Sequence, residues 1–288
     1  RLLREPNLLA ELPPHANLVS VKETIRTPGH FYLVEEYLEG YITLESLTLR
    51  SELRNENGAH VLAPTVAERI FCQLLFALNA IHCPLRVCHR DVKPENILVH
   101  PETLQLKLLD FGLATHFSKS RPKLTTCCGS PAFHCPEIVV ALGRPPGTVA
   151  YWGPEFDAWA CGLTILRCLS GLRYPLGTSH NSPASMKNRA KHALSLVKAH
   201  TLREQIALLL DMDGEKRMRH FDDLVQHYLA RQKDVAPAVR KMLKSTSFIP
   251  TVPQYKIPLP LLDSPEPSTR SSFDDTSFPS PYSELTWI

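Results

Sequence analysis

Residues 89–96 read His-Arg-Asp-Val-Lys-Pro-Glu-Asn, and Asp110-Phe111-Gly112 follows fourteen residues after Asn96. These polar groups act on one reacting centre only if tight loops between short strands bring both segments together, which restricts the fold more than any other stretch does. An Asp in a polar loop accepts a hydroxyl proton, and a Lys two residues on neutralises a phosphoryl group in transfer. An Asn with a second Asp offers hard oxygen ligands for Mg2+. Phosphoryl transfer requires this set, because its loose transition state responds to positioning and charge neutralisation more than to covalent help. A lone His-Arg-Asp would read as a surface charge cluster; the octet followed by Asp-Phe-Gly is far more specific.

The flanking pattern is α+β, with strands early and helices late. Phe31-Tyr32-Leu33-Val34 follows the turn signal Thr27-Pro28-Gly29 and predicts a strand. Arg86-Val87-Cys88, Ile97-Leu98-Val99 and Leu106-Lys107-Leu108-Leu109 predict three small strands with functional loops between them. Pro64-Thr65-Val66-Ala67-Glu68 has capping-box spacing, so Thr65 is expected to cap a helix and Glu68 to reach back. That helix carries Val66, Ile70, Phe71, Leu74, Leu75, Leu78 and Ile81 on one apolar face and stops at Cys83-Pro84. Asp157 to Leu169 is apolar nearly all round, which predicts a buried central helix, and further helical patterns run over 185–198, 202–210 and 221–229.

Composition excludes several classes. With 43% apolar and 21% charged residues the chain matches neither a fully disordered protein nor a coiled coil. No apolar run approaches the length of a membrane helix. A net charge of +3, with no aromatic-interleaved basic stripe, argues against nucleic acid as a partner. The eight cysteines contain no C-x-x-C, so reduced thiols in an intracellular, most simply cytoplasmic, protein are expected, with a nuclear location also open. The thirteen histidines lack the paired spacing of a zinc site. The chain starts at Arg1, so a targeting segment is not readable from this end. Much of its proline lies in 245–288, a Pro/Ser-rich stretch without periodicity that is expected to be a disordered tail.

The octet, Asp-Phe-Gly and the run Cys128-Gly129-Ser130-Pro131 to Cys135-Pro136-Glu137 resemble the eukaryotic protein kinase superfamily, from about Arg4 to about Leu229. Tyr151-Trp152-Gly153-Pro154-Glu155 is similar to the lead-in found in AMP-activated-kinase and calmodulin-kinase-type members. The resemblance implies a kinase-like fold with a mainly helical C-terminal lobe over 39–244 and a partial N-terminal lobe over 1–38, lacking the glycine-loop strands. It implies Asp91 as catalytic base, Lys93 as the phosphate-contacting lysine of Ser/Thr kinases, and Asn96 and Asp110 as metal ligands. Ser130 would bridge the catalytic Asp and Lys. Glu36 and Leu38 would offer backbone groups to adenine, with Leu98 packing beneath the base. Thr126 falls where such enzymes carry an activating phosphothreonine, placed there by an upstream kinase, and Arg90 would pair with that phosphate. Asp157 would hold the backbone of the His-Arg-Asp loop, and Glu137 with Arg217 would form a buried ion pair.

The chain also departs from the pattern. It has no Gly-x-Gly-x-x-Gly, and the lysine that partners the helix glutamate, here Glu5, has no counterpart, so both are expected upstream of Arg1. These residues alone are therefore expected to bind ATP poorly. Glu35 falls at the gatekeeper position, where a carboxylate needs a partner. Glu95 is a candidate contact for a basic residue of a substrate. The implied function is transfer of the γ-phosphate of ATP, with Mg2+, to Ser/Thr hydroxyls of protein substrates. The alternative is a pseudokinase or scaffold acting by protein binding.

Overall fold

A computed structural model describes residues 8, 12, 14–83, 85–117, 123–148, 150–177 and 182–235 of the chain. Glu5 and the stretch 245–288 lie outside the described residues.

In chain order the strands are β1 (Val21–Arg26), β2 (Phe31–Glu35), β3 (Ile42–Thr43), β4 (Val87–Cys88), β5 (Ile97–Val99), β6 (Leu106–Leu108), β7 (Thr115–His116), β8 (Lys123–Leu124) and β9 (Tyr151–Trp152). The helices are α1 (Leu44–Arg50), α2 (Pro64–His82), α3 (Pro136–Leu142), α4 (Gly153–Ser170), α5 (Pro183–Ser195), α6 (His200–Leu209) and α7 (Gly214–Val235). The Thr-Pro-Gly signal makes the β1–β2 turn, where the Thr27 hydroxyl oxygen accepts the His30 N–H at 3.2 Å. A second antiparallel sheet has the order β3-β5-β6. Leu18 bridges in parallel to Leu108, tying the segment before the hairpin to that sheet.

The core sits among the later helices. Every residue of α4 except Glu155 is buried, and α2, α6 and α7 pack around it. Trp159 and Phe156 from α4, Phe71 and Leu74 from α2 and Phe221 from α7 are 1% exposed or less. Burial of each such side chain contributes about 1.5–3 kcal/mol, so this cluster carries much of the stability. Because α4 is covered on all sides, groups at its ends are held in fixed positions. Its C-terminus closes on Gly171 at φ +71, where a Cβ would sit 2.8 Å from Ala59 and Asn55, so only glycine suits the turn.

The capping box does not form. Pro64 is the first residue of α2 and Ala63 its N-cap, with no side-chain cap bond. Proline at that position has no N–H to leave unsatisfied and presets φ, so the helix starts one residue early and Thr65 is already inside it. Glu68 instead accepts from Arg231 of α7 at 2.8 Å. Among the described residues no helix is long and apolar enough to cross a membrane, and no group of three or more His, Cys, Asp or Glu is placed to hold a metal ion.

Candidate active site

β4 and β7 pair in register, Cys88 opposite Thr115. The octet therefore starts beside the strand that follows Asp-Phe-Gly, while β5 and β6 bring Ile97 opposite Leu108 on the other side. Asp157, in the first turns of α4, anchors the loop from beneath. Its fully buried carboxylate accepts the backbone N–H of His89 and of Arg90, each at 2.7 Å, and the Nε2–H of His82 at 2.8 Å. These bonds hold Arg90 at φ +69, a left-handed backbone that a non-glycine residue adopts only under constraint. His89 reaches across to the Leu109 carbonyl at 2.8 Å and sets its ring edge-on to Phe111 at 4.9 Å, which couples the octet to Asp-Phe-Gly.

Asp91 is the hub. One carboxylate oxygen accepts from Lys93 Nζ at 2.7 Å and Asn96 Nδ2 at 3.0 Å; the other accepts the Ser130 N–H at 2.9 Å and its hydroxyl at 2.8 Å. Lys93 also donates to Ser130 Oγ at 2.9 Å, closing the triangle. Burial raises the Asp91 carboxyl, but the Lys93 and Ser130 bonds outweigh it and hold the carboxyl below the ordinary aspartate value, so it is ionised at neutral pH. Gly129 makes the approach of Ser130 feasible. At φ +88 its Cβ position lies 2.4 Å from the Arg90 carbonyl, where no side chain fits.

Asn96 uses Nδ2 twice, on the backbone carbonyl and the carboxylate of Asp91, which leaves its Oδ1 to face another partner. Asp110 is exposed at φ +60, with one oxygen accepting the Gly112 N–H at 3.2 Å. One amide oxygen and one carboxylate suit Mg2+, which keeps waters and takes substrate phosphate oxygens for its remaining positions. The donor set therefore fits a nucleotide-borne Mg2+ rather than an all-protein cage.

On the hinge side, Glu36 is pinned. Its carboxylate accepts from Lys107 at 2.7 Å and from the Ser20 N–H at 2.9 Å, and these bonds bring it below the usual value despite the opposing effect of burial. Leu38 and Leu98 are half-buried, Leu98 at the centre of β5. Glu35 ends β2 opposite Val21 and stays exposed. Its carboxyl is pushed up, first by partial loss of water and then by the charges of Asp110 and Glu36.

The segment after Asp-Phe-Gly is tied down at two points. Tyr151 donates its hydroxyl to the Thr126 carbonyl at 2.8 Å and accepts from Arg90 Nη1 at 3.4 Å, while Arg90 Nε donates to the Leu113 carbonyl at 2.7 Å. The Thr126 side chain is exposed. Further on, Arg217 places Nη2 2.8 Å from both oxygens of Glu137, and donates to the carbonyls of Glu155 and Asp211 at 2.9 and 2.6 Å.

Residues 1–248 match the model of the protein kinase domain. The chain belongs to the protein kinase family. Among curated kinases it is similar to the probable serine/threonine-protein kinase HSL1 of Saccharomyces cerevisiae, with 29% identity covering 82% of this chain and 15% of that protein. It is also similar to CBL-interacting protein kinase 4 of Oryza sativa subsp. japonica, 32% identical over 79% of this chain and 47% of that protein. The human SNF-related serine/threonine-protein kinase is 28% identical over 83% of this chain and 29% of its own length. The chain thus spans less than half the length of each of these relatives.

Within this kinase domain the structure gathers Lys93, Asn96 and Ser130 around Asp91 and anchors the adjoining Arg90 on Asp157, while Glu137 and Arg217 pair with each other apart from that group. Glu5 is outside the described residues. Glu95 is exposed and already paired through one oxygen, which accepts from Arg167 of α4 at 2.8 Å. Sequence reading missed this arginine, and it missed Tyr151, whose hydroxyl bridges Arg90 and Thr126, and His82 beneath Asp157. Arg167, Tyr151 and His82 lie 61 to 75 residues from Glu95, Arg90 and Asp157, so no local spacing announces those pairings. The Tyr-x-Gly-Pro-Glu motif marks the position of Tyr151 without disclosing what the hydroxyl does.

Proposed function

We propose that this chain is the catalytic part of a protein serine/threonine kinase that transfers the γ-phosphate of ATP to hydroxyl groups of protein substrates. One observation carries the reading: an ionised Asp91 shared by Lys93, Asn96 and Ser130, in a loop anchored from a buried helix. Asp91 would take the acceptor hydroxyl proton, and Lys93 would meet the charge that builds on the transferred phosphoryl group. Asn96 Oδ1 and the exposed Asp110 carboxylate would hold Mg2+, which neutralises charge on the ATP phosphates when bound. Glu36, Leu38 and Leu98 would line the adenine side.

The exposed Thr126, with its backbone held through Tyr151 beside Arg90, supports a second element of the proposal: phosphorylation there by an upstream kinase orders the segment. The names of the relatives support the serine/threonine class.

The test is phosphotransfer from radiolabelled ATP to serine peptides by the full-length protein and by Asp91→Asn. Loss of a proton acceptor lowers kcat by roughly 10²–10⁴-fold. Equal activity in both proteins removes Asp91 as the base, and no transfer by either, with Mg2+ present, leaves the scaffold alternative.

A further inference from the structure

Arg167 in the last turn of α4 is 8% exposed, yet it joins two acids. Its Nη1 donates to Glu95 Oε1 at 2.8 Å and its Nη2 to Glu45 Oε1 at 2.6 Å. The acids come from different elements. Glu45 lies in the first turn of α1, and Glu95 lies in the octet between Lys93 and Asn96, both of which touch Asp91. Side-chain exposure is 9% for Arg167, 29% for Glu45 and 39% for Glu95, so the cation lies beneath and the carboxylates form the surface. Beside them opens a cavity of about 320 Å³ with a mainly apolar wall that includes Leu49, Pro94 and Leu172, and with His60 and Arg173 also lining it.

Two carboxylates at the edge of the catalytic loop would, left alone, attract an arginine or lysine of an incoming protein. Here both already have a cation in hydrogen-bond contact, supplied from the core. A second cation entering the same place would meet carboxylates whose charge Arg167 already offsets, and would be repelled by Arg167 and by Arg173 on the cavity wall. Arg167 has little freedom to withdraw, since the helix that carries it is packed on all sides.

We infer that Arg167 is a specificity-determining residue: it fills the acidic subsite formed by Glu45 and Glu95 from within, turns away basic side chains of the phosphoacceptor protein, and leaves the adjoining cavity to an uncharged one. Selectivity of this kind rests on exclusion as much as on attraction. The inference relies on the phosphotransfer reading for the nature of the incoming protein, and not for the ion pairs themselves.

The experiment measures binding, by fluorescence anisotropy, of serine nonapeptides in which each flanking position in turn is Ala, Leu or Arg. It uses the full-length protein, with phosphotransfer to the same peptides measured alongside. The wild type is expected to bind Arg no more tightly than Ala at any position. Arg167→Met is expected to gain at least tenfold for Arg at one position, and the gain should vanish in the Arg167→Met/Glu95→Gln double variant. A folded Arg167→Met with no gain for Arg overturns the inference, and so does an absence of peptide binding by both proteins. Should Arg167→Met fail to fold, Glu95→Gln alone decides, because Arg167 keeps Glu45. An unchanged Arg-to-Ala ratio supports the inference, and a tenfold fall in that ratio shows Glu95 was open to substrate and overturns it. Peptide binding without phosphotransfer counts against the proposed function alone, since the binding ratio still decides the role of Arg167.

Discussion

Asp157 accepts the backbone N–H of Arg90 at 2.7 Å, so a carboxylate in the most buried helix sets the backbone of a residue next to Asp91. Asp157→Asn would turn an acceptor oxygen into an N–H facing N–H donors in a site closed to water. Unfolding in urea is expected to show a loss of about 3 kcal/mol, the range for an unsatisfied buried polar group with charge-assisted bonds lost. Unchanged stability would mean that the Arg90 conformation is held by something else.

Arg217 is fully buried and Glu137 is its carboxylate partner. Removing the cation leaves the half-buried Glu137 without its partner and the Glu155 and Asp211 carbonyls without a donor, so Arg217→Met is expected to cost about 3 kcal/mol in denaturant unfolding. The double variant Arg217→Met/Glu137→Leu should recover part of that loss, because no charge is then left unpaired.

Glu155, the one residue of α4 that is not buried, has its carboxyl raised to about 7 by burial and by the neighbouring Glu137 charge, against the opposing effect of Arg217. The folded state then binds more protons than the unfolded state between the ordinary glutamate value near 4.5 and about pH 7, so stability falls as pH rises through that window. Glu155→Gln should remove this slope and stabilise the protein at pH 8 by about 1 kcal/mol, since the half-exposed group is well screened by water. Melting temperatures at pH 5 and pH 8 check it: the variant should gain at pH 8 and not at pH 5.

Tyr151→Phe removes the hydroxyl between Arg90 and Thr126 and should cost about 1 kcal/mol, the net value of one such hydrogen bond. Hydrogen exchange should show faster opening around 124–128. Unaltered exchange there would separate Tyr151 from the ordering of the segment.

The core of the site was legible because its members are close in the chain. Asp91, Lys93 and Asn96 lie within six residues, and the chemistry they share has no common bland reading. Strands β4 to β6 and helix α4 were equally readable, since short β-branched runs and an apolar helix declare themselves locally. The start of α2 was misread for a local reason. Thr65 and Glu68 have capping spacing, yet Pro64 satisfies the helix start without a side chain, which freed Glu68 to pair with Arg231 on another helix. Glu95 shows the larger limit. Its neighbours in the chain suggest an unpaired acid, and only the arrival of α4 supplies the cation that pairs with it.

By itself the sequence determined the family, strands β4 to β6, helix α4 and the candidate reacting groups of the octet, because these follow from residue type and short spacing. The tertiary structure alone decided which of those groups are paired, buried or exposed. Burial of α4 carries Asp157 beneath His89 and Arg90 and Arg167 beneath Glu95, contacts that span 67 to 72 residues of chain and depend on how helices pack rather than on any local pattern.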